Sequence, residues 1–217
     1  MSGKAGKSPF AGQIPLPLKQ RADVMRIIVG QPNEGVFEAC RHAQDWPFRT
    51  ALLWGEPRSG KSLIARWFEN SGLGDVIDDA QGWQEDAIFH RWNRAQETRR
   101  PLLIVGPPVP DGWKITLPDL RSRLGPALNL RIDTPDDDML AGLIEAHAEA
   151  RGLVLADGAT TYLVPRTPRS FAGVEALVAE IDRITLERKV PATLAIWREA
   201  LEIVLGGGPA GEQEELL

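Results

Sequence analysis

The eight residues Gly55-Glu-Pro-Arg-Ser-Gly-Lys61-Ser62 constrain this chain more than any other segment. They match G-x-x-x-x-G-K-[ST], a phosphate-binding loop that requires a strand before it and a helix after it. Both neighbours are legible. Residues 51–54 are a short apolar run that suits a buried strand, and residues 63–68 carry helical spacing. In such a loop the backbone N–H groups of Gly55, Pro57, Arg58, Ser59 and Gly60, proline excepted, and of the helix start face phosphate oxygens. Lys61 reaches the terminal phosphates, and the Ser62 hydroxyl can sit on Mg2+. The motif does not separate an enzyme that turns over from a protein that only holds nucleotide.

Composition narrows the setting. The chain has 217 residues, 43% of them hydrophobic, enough for one domain or for a core with a small second one. A net charge of −5 gives no general attraction to nucleic acid. The only cysteine, Cys40, excludes an internal disulfide, and reads as a core residue rather than a nucleophile. His42, His90 and His147 lie far apart and form no metal-ligand spacing. No apolar run reaches transmembrane length and no signal-peptide block is present, so the cytoplasm is the expected location, without membrane contact.

Residues 1–24 read as an arm punctuated by glycine, proline and lysine. Within it, Gln13-Ile-Pro-Leu16-Pro-Leu18 is held extended by two prolines. The leucines suit either a groove on a partner or the chain's own surface. Residues 25–133 then alternate strand and helix: helix 36–44, strand 50–54, helix 60–70, a short strand 75–78, helix 83–98, strand 102–105, helix 118–124 and strand 128–132. This order predicts an α/β sandwich on a mostly parallel sheet. From 134 to 205 only helical periods appear: 139–150 with Thr134 as cap, 156–164, one capped by Ser170 and running to 188, and 193–205. Residues 206–217 form a frayed, acidic tail.

Asp78 and Asp79 end the short strand. A carboxylate there suits Mg2+, with Asp78 the better ligand and Asp79 able to orient an attacking water. Arg121 and Arg123, on the helix 118–124, can serve the phosphates of a neighbouring subunit's nucleotide; an exposed, salt-bridged helix is the plainer alternative. Arg166 or Arg169 could reach back to nucleotide across the domain junction.

Together these pieces resemble the AAA+ class, and more narrowly the Hda family of DnaA-related regulatory inactivators of the bacterial replication initiator. The resemblance covers about residues 12–205. Residues 13–18 are similar to that family's peptide for the replicative sliding clamp, which implies clamp contacts by Gln13, Leu16 and Leu18. Gly30 and Asn33 match the segment that contacts adenine, Arg123 matches the arginine finger, and Arg169 matches the sensor 2 arginine. The all-helical part resembles an AAA+ lid. The resemblance implies ADP or ATP with Mg2+ as cofactors, the clamp and DnaA as partners, a homo-oligomer as a further assembly, and DNA contact only through the clamp. The chain stops where an initiator would continue into a DNA-binding domain, an expectation that favours regulator over initiator.

Two departures bear on activity. Relatives place a further strand and helix before the Walker B strand, whereas only fifteen residues separate Ser62 from Asp78. A four-strand sheet is therefore expected, with strand 75–78 at one edge. Relatives also carry a polar sensor 1 residue after strand 102–105, where this chain reads Gly106-Pro-Pro108. Both lower the expected intrinsic ATPase activity without removing phosphate binding. The competing readings are an autonomous P-loop ATPase or kinase, an AAA+ helicase loader, and a clamp-binding adaptor that no longer binds nucleotide.

Overall fold

The structure, a computed structural model, describes residues 26–109 and 111–206. Gln13, Leu16 and Leu18 lie outside the described residues. Four strands, β1 (Thr50–Gly55), β2 (Asp75–Ile77), β3 (Leu102–Val105) and β4 (Leu128–Ile132), form one sheet in the order β2-β3-β1-β4, all parallel. Among the described residues eight α-helices accompany them: α1 (Gln31–Arg41), α2 (Lys61–Asn70), α3 (Glu85–Thr98), α4 (Pro118–Leu124), α5 (Asp137–Arg151), α6 (Ala159–Leu163), α7 (Phe171–Arg188) and α8 (Leu194–Gly206).

The strands are apolar because both sheet faces are covered. The pleat sends Ala51, Leu53, Leu103, Val105, Leu130 and Ile132 into one core, with Val36 and Phe37 of α1 and Ile64 and Phe68 of α2. It sends Leu52, Ile77, Leu102 and Ile104 into the other, with Ile88 and Trp92 of α3 and Leu120 and Leu124 of α4. The result is a three-layer α/β sandwich. Cys40 is fully buried in the first core, and burial pushes its thiol up to about 12, as suits a packing residue.

Strand β2 is an edge strand, as the short 62–78 spacing requires. Its neighbourhood is tight. A Cβ on buried Gly74 would run into the Pro101 carbonyl oxygen and come within 2.6 Å of Phe68 Cε1. Gly74→Ala is therefore expected to cost about 1–3 kcal/mol, as overpacking does. A lowered urea midpoint would register it; an unchanged midpoint would refute the tightness of this turn. The outward-facing carbonyl of Val76 accepts a hydrogen bond from Arg91 Nη2 of α3 at 2.9 Å, which closes part of the exposed edge.

Helices α5 to α8 build a third core around Leu140, Ile144, Leu177, Val178, Ile181 and Trp197. The starts of α5 and α7 also reach the sheet side, because Met139 and Phe171 belong to the first core. The helical part is thus wedged against the P-loop side of the sandwich.

Beyond shifts of one to three residues at element ends, three features differ from the sequence expectation. Helix α1 begins at Gln31 rather than 36. Asn33 Oδ1 accepts from the Gly30 N–H at 3.0 Å, closing a capping box that lacks the usual serine or threonine. Asp136, not Thr134, caps α5, accepting from Met139 N at 2.8 Å. The expected helix 156–164 is split into α6 and a 3-10 turn, Val164–Arg166, where Pro165 cannot supply a helical N–H.

Candidate functional site

The C-terminal end of β1 runs directly into the loop. Gly55 is needed there for space: a Cβ would lie 3.0 Å from the Ile132 carbonyl oxygen and 3.2 Å from Ser59 Oγ. Gly60 caps α2 at φ +83°, a left-handed conformation that favours glycine, and no atom lies within 4 Å of where its Cβ would be. The space at the start of α2 therefore stays open, where a helix N-terminus favours an anion. Ser59 is buried beneath the loop, while Pro57 and Arg58 are exposed.

Lys61 Nζ donates to the carbonyls of Gly55 and Glu56, at 3.0 and 2.6 Å, and lies 3.4 Å from Ser59 Oγ. Burial lowers its pKa from the usual lysine value, and the Asp78 carboxylate partly opposes that. Ser62 Oγ donates to Asp78 Oδ1 at 3.1 Å, so the two expected Mg2+ contacts come together although sixteen positions apart. Asp78 Oδ1 also accepts from Asp79 N at 3.0 Å. Asp79 has left-handed backbone (φ +49°), and its Oδ2 lies beside Gly82 in the following turn. Its carboxylate thus faces that turn.

A cleft of about 740 Å³ opens beside the loop. It is lined by Arg58 to Leu63, by Arg66, Trp67 and Asn70 of α2, by Ile27, and by His147 of α5 and Glu175 of α7. A narrow recess continues past Ile28, Asn33, Met139 and Phe171. Apolar walls with a few polar groups, in a volume within the roughly 300–1,000 Å³ range of small-ligand sites, suit a nucleoside and its phosphates. Asn33 lines this recess, whereas Gly30, expected beside it, is not among the lining residues of recess or cleft. Asn33 is buried, and its side chain is spent on Gly30 N and on the Ile28 carbonyl at 2.9 Å.

The helical part contributes Glu175 and His147. Arg58 Nε pairs with Glu175 Oε2 at 3.3 Å, linking loop to α7. Burial and the neighbouring Arg151 hold His147 below the usual imidazole range, with Glu175 opposing, which favours the neutral ring. Arg169 lies elsewhere: it is exposed, pairs with Asp137 at 2.6 Å, and is not among the cleft residues. Arg166 lies over the Tyr162 ring at 4.2 Å. Sequence reasoning missed Trp67, His147, Glu175 and Trp83, whose Nε1 donates to the Asp78 carbonyl at 3.1 Å. Leu63, Trp67 and Asn70 share one stripe of α2 beside the buried Ile64–Phe68 stripe, a signal the helical period did contain.

The loop, Ser62, Asp78 and the cleft therefore fit a Mg2+-nucleotide, with Lys61 and the start of α2 toward the phosphates. On α4, away from this loop, Arg121 Nε and Nη2 donate to the Ile115 carbonyl at 3.0 and 2.5 Å. Half-buried Arg123 lies over the rings of Trp92 and Phe89.

No protein-family profile matches the chain. An uncharacterized protein of Haemophilus influenzae is 23% identical over 229 residues, covering 88% of this chain and 99% of that protein. Domain III of the Thermotoga maritima replication initiation protein DnaA matches with a TM-score of 0.65 at 13% identity, over 83% of this chain and 93% of the other. Replication initiator DnaA bound to AMPPCP and single-stranded DNA matches with a TM-score of 0.54 at 17% identity, over 75% and 66%. The Thermotoga maritima RuvB Holliday junction branch migration motor gives 0.55 at 18%, over 81% and 70%. These likenesses show that the chain shares the fold of DnaA domain III and of RuvB. Among the described residues no helix is long and apolar enough to cross a membrane.

Proposed function

We propose that this chain is an adenine-nucleotide-binding regulator of DNA replication initiation, tethered to the sliding clamp and acting on ATP bound to DnaA. The observation that carries the reading is the division of labour on α4. Arg121 is spent on the Ile115 carbonyl, whereas Arg123 has no hydrogen bond or ion pair with any described residue. A half-buried guanidinium without an internal anion suits an anion brought by another subunit.

In the chain's own cleft, ADP or ATP would lie with its phosphates at Gly60, Lys61 and Ser62. Mg2+ held by Ser62 and Asp78 would neutralise phosphate charge. The end of β3 offers only Gly106, Pro107 and Pro108, and no polar side chain there can poise water. The residues bind and orient nucleotide with little provision for cleaving it. Arg123 instead supplies positive charge to the transition state on the neighbour.

The test is phosphate release from ATP-loaded DnaA in the presence of clamp, DNA and this protein. Stimulation by the protein is expected, with little turnover by the protein alone. Absence of stimulation, or robust turnover alone, would overturn the reading. Residues 13–18 carry the tether, so deleting residues 1–20 is expected to abolish binding to purified clamp with thermal unfolding unchanged. Clamp binding by the truncated protein at wild-type affinity would exclude it.

A further inference from the structure

Two residues apart on a helix, Arg121 and Arg123 point to different sides. Arg121 folds back on the chain, but Arg123 crosses to α3. Its guanidinium carbon sits 4.4 Å from the centroid of the Trp92 ring and 5.0 Å from that of Phe89, both within the reach of cation–π attraction. Phe89 and Trp92 are three residues apart and so share one face of α3. Trp92 is 5% exposed and packed among Ile88, Leu120 and Leu124, so its ring is a fixed platform.

The anchoring extends to the start of α4. Glu85, in the first turn of α3, accepts from Thr116 N at 2.9 Å, Thr116 Oγ1 at 2.8 Å and Leu117 N at 2.6 Å. The Thr116 backbone N–H, more than any other group, holds this carboxyl below its usual range. The contact is therefore intact at neutral pH and is lost only as pH falls through that lowered value. Helices α3 and α4 are joined at one end by Glu85 and along their length by the arginine–aromatic contact.

We infer that Phe89 and Trp92 are positioning residues for Arg123, holding its guanidinium aimed, with its N–H donors unspent, to receive a phosphate oxyanion carried by another subunit. The inference rests on the proposed action of Arg123 in trans. The physics favours rings over a carboxylate here. A carboxylate would occupy the donor fork and compete with the incoming anion. A ring engages the π face and leaves the N–H edge available. It also removes rotamer freedom that a free arginine would lose on binding.

The test uses the full chain and four variants, Arg123→Ala, Phe89→Leu, Trp92→Leu and Trp92→Phe. In NMR spectra of the protein alone, ring currents should move the Arg123 δ-methylene protons upfield. Arg123→Ala identifies that signal, Phe89→Leu and Trp92→Leu should return it toward the exposed-arginine position, and Trp92→Phe should largely preserve it. In the DnaA assay, Phe89→Leu and Trp92→Leu should lower the maximal stimulated rate by about 10- to 100-fold, the scale of a misplaced catalytic group. The concentration for half-maximal stimulation should not change, and Trp92→Phe should restore the rate. If Trp92→Leu does not fold, the half-buried Phe89→Leu decides. Loss of stimulation in Arg123→Ala with wild-type rates in the leucine variants would overturn the inference and leave the trans action standing. Full stimulation by Arg123→Ala would remove the trans action itself, and the inference with it.

Discussion

Arg123→Ala is expected to lower DnaA-dependent ATP hydrolysis by about 10³-fold or more, the scale of arginine fingers supplied in trans. Folding and nucleotide binding should be nearly unchanged, for two structural reasons. Arg123 contributes no hydrogen bond to the described chain, so no buried acceptor is orphaned by its removal. What is lost is contact with Phe89 and Trp92, about 0.5–1 kcal/mol for a half-exposed cation–π pair. Arg123 is also absent from the cleft that holds Lys61 and Ser62, so cis binding has no use for it. Arg123→Lys should rescue poorly. It keeps the charge but lacks the planar fork that engages a phosphate bidentately and stacks on an aromatic face. By contrast, Arg121→Ala frees the Ile115 carbonyl and should cost stability before it costs activity. The readout is phosphate release from ATP-loaded DnaA with clamp and DNA present. Wild-type stimulation by Arg123→Ala would contradict the mechanism.

What could be read in the sequence follows from how local each signal is. The bounds of β3, β4 and α4 coincide with the sequence reading because each is a self-contained pattern: a continuous apolar run, a strict alternation, and a proline at the first helical turn. The edge position of β2 followed from the short 62–78 spacing set against the further strand and helix that the resemblance leads one to expect there. The start of α1 was hidden because its cap is made by Asn33 reaching back to Gly30, a reciprocal contact that looks like loop composition in one dimension. The cap of α5 was ambiguous because Thr134, Asp136, Asp137 and Asp138 all offer an oxygen; only the fold selects Asp136.

The site divides the same way. Gly55 to Ser62 is one contiguous motif, and Asp78 directly follows the next strand along the chain, β2, so that half was legible. His147 and Glu175 arrive on helices from the far half of the chain and carry no motif of their own. Their presence depends on the wedge made by Met139 and Phe171. That wedge brings an acid, Glu175, to Arg58 from α7, while Arg169 turns away to Asp137. An exposed ion pair such as Arg58–Glu175 contributes little stability, so it acts as a locator of the helical part more than as a fastener.

Lys61→Ala is expected to weaken ADP binding on the order of 10- to 100-fold, the worth of one charge-assisted phosphate contact. The lysine is well placed to deliver it. Its Nζ is held at the loop mouth by the Gly55 and Glu56 carbonyls and lies in the cleft lining next to Gly60 and Ser62. Burial lowers its pKa from the usual lysine value, while Asp78 favours the charged form; an arriving polyphosphate would do so much more strongly. The substitution also strips the loop of these internal bonds, so a structural explanation of weak binding must be excluded. Water can replace the lysine at both carbonyls, because the loop lies at the surface. Gly60 and the Gly55–Ile132 approach keep the loop's shape without it. Thermal unfolding of the variant should accordingly match the wild type to within a few degrees, while calorimetric titration with ADP and Mg2+ shows the loss. Equal affinity in both proteins would remove the phosphates from this loop. No heat of binding in either would leave a clamp-binding adaptor that has kept the fold and given up its nucleotide.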